Sequence, residues 1–304
     1  MTCRVALLIL AAMLAAPLAL LAAPQEAAML QLHARGRRPI AGAEDKYEVT
    51  TETLQWDPAR TALVVVDMWD DHWCKGAARR VGELAEPLDR VVAAARDRGV
   101  LIVHCPSTCV DFYNDSPARR RALEAPPAKP PMELASEQRW GTAWDYPDEP
   151  REPPMPIDDS DMGCDCPDKC EIAGPWTRQI ATIDIDETRD AITDNGQELV
   201  NLFAERGVDN VIICGVHLNM CVLGRPFAIR QLVKMGKKVV LVRDMTDAMY
   251  DHRMPPHVDH FTGVDLVVEH VEKYWCPSIE STDLMGGQAF RFAEDARAAA
   301  KPRE

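Results

Sequence analysis

Residues 211–228 read VIICGVHLNMCVLGRPFA, and this stretch decides the fold. The β-branched run Val211, Ile212, Ile213 reads as a buried parallel strand that stops at Gly215. Cys221 follows six residues later, where a helix is expected to begin. A thiol there sits at the positive end of the backbone dipole, which favours the thiolate. The same unpaired N–H groups can hold the oxyanion formed when a thiolate attacks a carbonyl. Cys221 is therefore the candidate nucleophile, with a lowered pKa expected. Cys214, on the strand itself, reads as an inert buried thiol.

Outward from this stretch, strands and helices alternate. Ala62 to Val66 is a continuous apolar run closed by Asp67, and Val81 to Arg98 carries apolar residues at helical spacing until Gly99. Val100 to Val103 reads as a strand closed by His104, and Ala181 to Ile185 as another. A helix over Asn195 to Arg206 leads into the Val211 strand. A helix over Cys221 to Met235 leads to a strand Val239 to Val242 that ends in Arg243 and Asp244. Leu266 to Val271 is expected to be the last strand. Such alternation implies right-handed crossovers and a three-layer α/β/α fold around a mostly parallel sheet of about six strands. Ligands in such sheets bind beyond the carboxyl ends of the strands. That rim collects Asp67, His104, Asp186, His217, Cys221 and Asp244. Asp67, beside a thiol, can take its proton and return it to a leaving amine; the plainer alternative is a cap or ion-pair partner.

These residues resemble the isochorismatase-like cysteine hydrolases, a family that includes nicotinamidases and the N-carbamoylsarcosine and ureidoacrylate amidohydrolases. The likeness lies in Val64-Val65-Val66-Asp67-Met68-Trp69-Asp70, in Gly215-Val216-His217-Leu218-Asn219-Met220-Cys221-Val222, and in the strand from Val239 to Asp244. It covers roughly residues 60–275 apart from a proline-rich insertion. The resemblance implies an Asp-Lys-Cys triad that cleaves an amide or carbamoyl C–N bond through a thioester. It also implies a non-proline cis peptide between Val216 and His217, and an oxyanion hole made by the N–H groups of His217 and Cys221. His104, Asn219 and Trp69 are the expected substrate-binding residues. The triad lysine is missing: the position matched to it in Ile183-Asp184-Ile185-Asp186 holds Asp186, and no lysine lies between Lys169 and Lys234. Arg189 or Arg178 could add positive charge, but an arginine does not give up a proton. His217 is an alternative base. The nicotinamidase metal motif is absent, since His104-Cys105-Pro106-Ser107 stands in its place.

The domain reading is a signal peptide over 1–23, a leader over 24–58, one hydrolase domain over 59–280 and a tail over 281–304. The apolar run from Val5 to Pro24, with Arg4 before it, predicts export to the periplasm or beyond, or membrane attachment if the segment stays uncleaved. The leader is expected to be flexible and includes Arg35, Arg37 and Arg38. A net charge of −14 gives no basic face for a nucleic acid, so the expected partner is a small-molecule substrate, with a homo-oligomer possible.

Residues 125–176 form the insertion. Pro126, Pro127, Pro130, Pro131, Pro153, Pro154 and Pro156 interrupt regular structure, while Trp140, Trp144, Trp176 and Cys164, Cys166 and Cys170 suggest that it is tied down as a cap. Ten cysteines less Cys3 leave nine, an odd number, so export implies disulfides with Cys221 left free. Cys164-Asp165-Cys166 with Cys170 reads either as disulfides to partners among Cys74, Cys105, Cys109 and Cys276 or as part of a metal site. No cofactor is expected, although Asp70, Asp71 and His72 past the first strand offer a second possible metal position. Asp251-His252, His257 and His260 fit no zinc spacing. The leading reading is an exported cysteine amidohydrolase. The alternatives are a catalytically degenerate fold that serves as a binding or assembly module, and a thiol-redox protein.

Overall fold

The computed structural model describes residues 28–43, 46–134, 138–139, 142–143 and 147–296. The proposed signal segment, Cys3, Trp140 and Trp144 lie outside the described residues. No helix among those described is long and apolar enough to cross a membrane.

The chain begins with a long antiparallel hairpin, β1 (Leu30–Pro39) and β2 (Tyr47–Trp56). It continues through β3 (Thr61–Val66), α1 (Lys75–Asp97), β4 (Leu101–Cys105) and α2 (Pro117–Glu124). In the insertion, β5 (Gln138–Arg139) and β6 (Thr142–Ala143) form a small separate pair. Then come β7 (Ala191–Ile192), α3 (Gly196–Arg206), β8 (Asn210–Val216), α4 (Cys221–Gly224) and α5 (Ile229–Lys234). The chain closes with β9 (Lys238–Asp247), α6 (His260–Tyr274), β10 (Ser278–Ile279) and α7 (Thr282–Met285).

The main sheet has eight strands in the order β2-β1-β10-β9-β8-β3-β4-β7, parallel except for the hairpin. Alternate residues of the central strands feed two cores. Val64, Val66, Val211 and Ile213 face one layer with α3, α5 and α6, while Leu63, Val65, Ile212 and Cys214 face α1 and α7. From β3 the chain steps outward through β4 to β7; from β8 it steps the other way through β9 to β10. The order reverses between β3 and β8, which is where an open α/β sheet leaves a crevice at its carboxyl edge.

Four sequence expectations are corrected here. Residues 30–56 are not a flexible leader: Leu30, Leu32 and Ala34 are buried in alternation with exposed neighbours, as in a half-buried strand. Arg35 and Arg37, two of the basic cluster, pair with Glu272 on α6. Residues 181–185 form a loop, and the strand beside β4 is Ala191–Ile192. Leu266 to Val271 lies inside α6, where Val264, Val267, Val268 and Val271 line one helical face and Asp259 caps the N-terminus. With the hairpin added, the sheet has eight strands rather than about six.

The insertion is held by buried charge. Glu152 meets Arg230 of α5 at 2.7 Å, and His270 of α6 and Trp275 at 2.7 and 2.8 Å. Burial alone would push the Glu152 carboxyl up, but the hydrogen bonds from His270 and Arg230 bring it down to about 2.

At the β3–β8 crossing, Gly215 has φ +104°, and a Cβ there would stand 2.0 Å from the Val66 carbonyl oxygen. Gly215→Ala is therefore expected to lower the unfolding free energy by roughly 3 kcal/mol or more, as strained backbone and overpacking combine. Urea denaturation followed by tryptophan fluorescence would measure it. A loss below about 0.5 kcal/mol would show that the two strands can part without cost.

Candidate active site

Asp67 ends β3 with φ 48°, and its N–H donates to the Cys105 carbonyl across the neighbouring strand. This bend turns the carboxylate into the crevice. Its Oδ1 accepts the Ser107 N–H at 2.7 Å, and its Oδ2 lies 3.8 Å from Nε of Arg225. Burial raises the Asp67 carboxyl above its ordinary range, while Arg225 and the contact with Cys221 pull the other way.

On β8 the chain passes through Gly215 into a cis peptide between Val216 and His217, as the family resemblance implied. The turn that follows is tied by Leu218 N–H to the Asp247 carbonyl at 2.7 Å, and by Met220 and Val222 N–H groups to the His217 carbonyl. Asn219 makes a paired contact with the Met249 backbone, donating from Nδ2 at 3.0 Å and accepting at Oδ1 at 2.9 Å. Cys221 opens α4 beside Asp67, buried.

The charge state expected of Cys221 is corrected. Its helix is four residues long and ends at Arg225, where Pro226 follows, so little dipole builds up. Burial pushes the Cys221 thiol well up, the Asp67 carboxylate pushes it further, and Arg225 opposes both. Burial therefore favours the neutral form of the Cys221 thiol beside the Asp67 carboxyl.

A cation, Arg225, stands beside this pair. Buried at the end of α4, it faces the Cys221 thiol, the Asp67 carboxylate and Asp194, which follows β7. Asp194 accepts the Thr108 N–H at 2.8 Å, and burial raises its carboxyl. Neither Arg225 nor Asp194 was among the expected site residues. The four-residue step from Cys221 to Arg225, one helical turn, was the available signal.

Several expected residues are placed elsewhere. Asp186 is held in a surface loop by Thr188 and Arg189, both at 2.6 Å, and does not join the Asp67–Cys221–Arg225 group. Its segment is a loop rather than a strand, so counting back along the helix misassigned it. His104 is buried in β4 between Gln179 and Asp190, at 3.0 and 3.1 Å, away from the cavity. Asn219 shapes the turn, as above. Asp244 points to Ser281 and Phe290, and the residue that closes β9 is Asp247. The His217 ring packs edge-on against His72, with Asp247, Arg80 and His260 around it; burial drives its pKa well down, so it stays neutral. Asp70 binds Thr177 and Asp71 binds Lys75, while His72 Nδ1 accepts the Cys74 N–H at 3.1 Å. These three side chains have separate partners.

The crevice above Cys221 is a cavity of about 250 Å³. Trp69, Trp73, Trp176, Met162, Met220 and Ile172 supply most of its walls. Trp69 and Trp176 stack at 4.3 Å with 11° between their planes, making one continuous aromatic wall across core and insertion. Of the described residues lining this cavity, Arg225 is the one cation.

No family model matches the sequence, and no curated protein does. Among solved structures, the chain is similar to a cysteine hydrolase from Pseudomonas syringae pv. phaseolicola 1448A, at 19% identity and a TM-score of 0.46, covering 75% of this chain and 92% of that one. It is also similar to an isochorismatase from Pseudomonas putida KT2440, at 13% identity and a TM-score of 0.43, covering 74% of this chain and 90% of that one.

The charges around Cys221 fix the sign of its titration. Alkylation of this thiol, followed against pH by peptide mapping, is expected to have a midpoint above that of an ordinary cysteine. Asp67→Asn removes the anion and should lower the midpoint; Arg225→Gln removes the cation and should raise it or abolish the reaction. A midpoint that neither variant moves would mean the three side chains do not share one electrostatic site.

Proposed function

We propose that the protein is a cysteine hydrolase that cleaves the C–N bond of a small uncharged amide carrying a flat apolar group. The observation that carries this reading is the thiol of Cys221, buried beside a carboxylate and a guanidinium on the floor of an aromatic-walled cavity. The sequence resemblance to isochorismatase-like hydrolases supports the same chemistry.

In this reading Asp67 takes the Cys221 proton as the sulfur bonds to the substrate carbonyl carbon. The N–H groups of His217 and Cys221 receive the oxyanion. When the C–N bond breaks, Asp67 passes the proton to the departing nitrogen, leaving an acyl thioester on Cys221. Water, losing a proton to Asp67, then displaces the sulfur and releases the acid, and the proton returns to the thiol. Arg225 keeps its charge throughout and steadies the Asp67 carboxylate and the transient thiolate. Substrate charge follows from the same geometry: the cavity's cation is already committed to Asp67 and Cys221, so an anionic substrate would compete with the catalytic carboxylate.

A panel of aryl and alkyl primary amides, assayed by ammonia release with intact-protein mass spectrometry for the acyl-enzyme, tests the proposal. Aryl amides should turn over best. Cys221→Ala and Asp67→Asn should each lower kcat by about 10³-fold or more. Trp176→Ala should raise KM by about tenfold with kcat nearly unchanged, and Arg225→Lys should retain more activity than Arg225→Gln. If no amide turns over and no acyl adduct forms on Cys221, while apolar aryl compounds still bind, the fold is a binding module rather than a hydrolase.

A further inference from the structure

At the N-terminus of α1, a second group of cysteines gathers. The described cysteines are all free. Cys105, Cys214 and Cys276 are buried in the cores, whereas Cys74, Cys164 and Cys166 bring their sulfur atoms within 4.8 Å of one another. Cys170 stands just outside this three-sulfur group, its thiol in contact with those of Cys164 and Cys166, and is the fourth sulfur at hand.

We propose that Cys74, Cys164, Cys166 and Cys170 bind one divalent zinc ion in a tetrahedral, structural site. Four thiolates at the usual zinc–sulfur bond length of about 2.3 Å stand about 3.8 Å apart along each edge of the tetrahedron. The Cys74 and Cys166 sulfurs are 3.9 Å apart, far from the roughly 2.05 Å of a disulfide. Cys164 and Cys166, separated by one residue, cannot readily bond each other, but the irregular loop that seats them suits two ligands of one ion.

The surroundings fit negative sulfur. Cys74 is the N-cap of α1, a helix of 23 residues, and Gly76 N–H donates to the Cys166 sulfur at 3.2 Å. The N–H groups of Cys170 and Cys166 also point at the Cys164 sulfur. Such N–H···S bonds offset thiolate charge that the ion leaves unneutralised. Arg253 braces the loop by donating to the Cys164 and Cys166 carbonyls at 3.3 and 2.9 Å. An all-thiolate set selects zinc or another soft cation over magnesium or calcium. On binding, each thiol gives its proton to solvent, so no oxidant or reductant is needed.

The site would clip the insertion to the start of α1. Asp165, between two of the ligands, meets Arg80 at 2.6 Å, and Arg80 meets Asp247 at 2.7 Å. The Asp247 carbonyl in turn accepts from Leu218 in the turn before Cys221. The inference stands independently of whether Cys221 hydrolyses an amide.

The test uses the full chain, reconstituted under reducing conditions with zinc and separately with cobalt, then freed of loose metal on a desalting column. About one zinc per chain is expected, with cobalt giving sulfur-to-metal charge-transfer bands and intense tetrahedral d–d bands. Cys166→Ser and Cys170→Ser should lose at least about tenfold in zinc affinity, while Cys276→Ser keeps it. Should the serine variants not fold, a thiol-modifying reagent on the unaltered protein should release the zinc in step with cysteine modification. Zinc below about a tenth of an equivalent, cobalt bands without sulfur character, or peptide mapping that finds these four cysteines joined as disulfides would overturn the proposal.

Discussion

The approach of two backbones, Gly215 on β8 against Val66 on β3, is the constraint on which the rest depends. A side chain at 215 would occupy the space of the Val66 carbonyl. Because nothing is there, the two central strands close up at the edge where the strand order reverses. Asp67 turns off the end of one strand and Cys221 follows the end of the other. The pairing of acid and thiol is a product of this contact at the end of two paired strands.

Once together, the groups are governed by dehydration. Asp67, Asp194 and Cys221 are each pushed toward their protonated forms by burial, and one guanidinium holds the balance. A proton moving between Asp67 and the thiol therefore passes between two groups that both resist charge. In the proposed reaction, such an arrangement keeps the thiol quiet until a carbonyl and two backbone N–H groups offer its electrons somewhere to go. Similar economy recurs at the margins: Arg80 with Asp247 and His260, and Glu152 with Arg230 and His270, place opposite charges in the interior and fix loops that carry few apolar contacts of their own.

Where one local pattern sufficed, the sequence was legible. The apolar run before Asp67, the helix after it and the strand before Cys221 all came from periodicity, and the α/β class followed from their alternation. The hairpin β1–β2 was missed because its basic residues outweighed the period-two burial of Leu30, Leu32 and Ala34; their acidic partners lie more than two hundred residues away on α6. Leu266 to Val271 was misread because a dense apolar run satisfies strand and helix alike, and only the Asp259 cap separates them. Arg225 escaped notice because the search for a cation followed the family's order along the chain. Cys74 and the 164–170 cysteines could be suspected of sharing a site, but their meeting depends on the path of the insertion, which no local rule encodes.

Cys221, the turn from His217 and Arg225 belong to one run of nine residues. The proposed nucleophile, the cation beside it and both proposed oxyanion donors therefore ride on a single short piece of chain, with the proposed base following the neighbouring strand. A small displacement of that piece moves them as a unit against Asp67 and against Asp194, which also faces Arg225. Transplanting the centre onto another parallel sheet would require two adjacent strand ends and an anion in the place of Asp194.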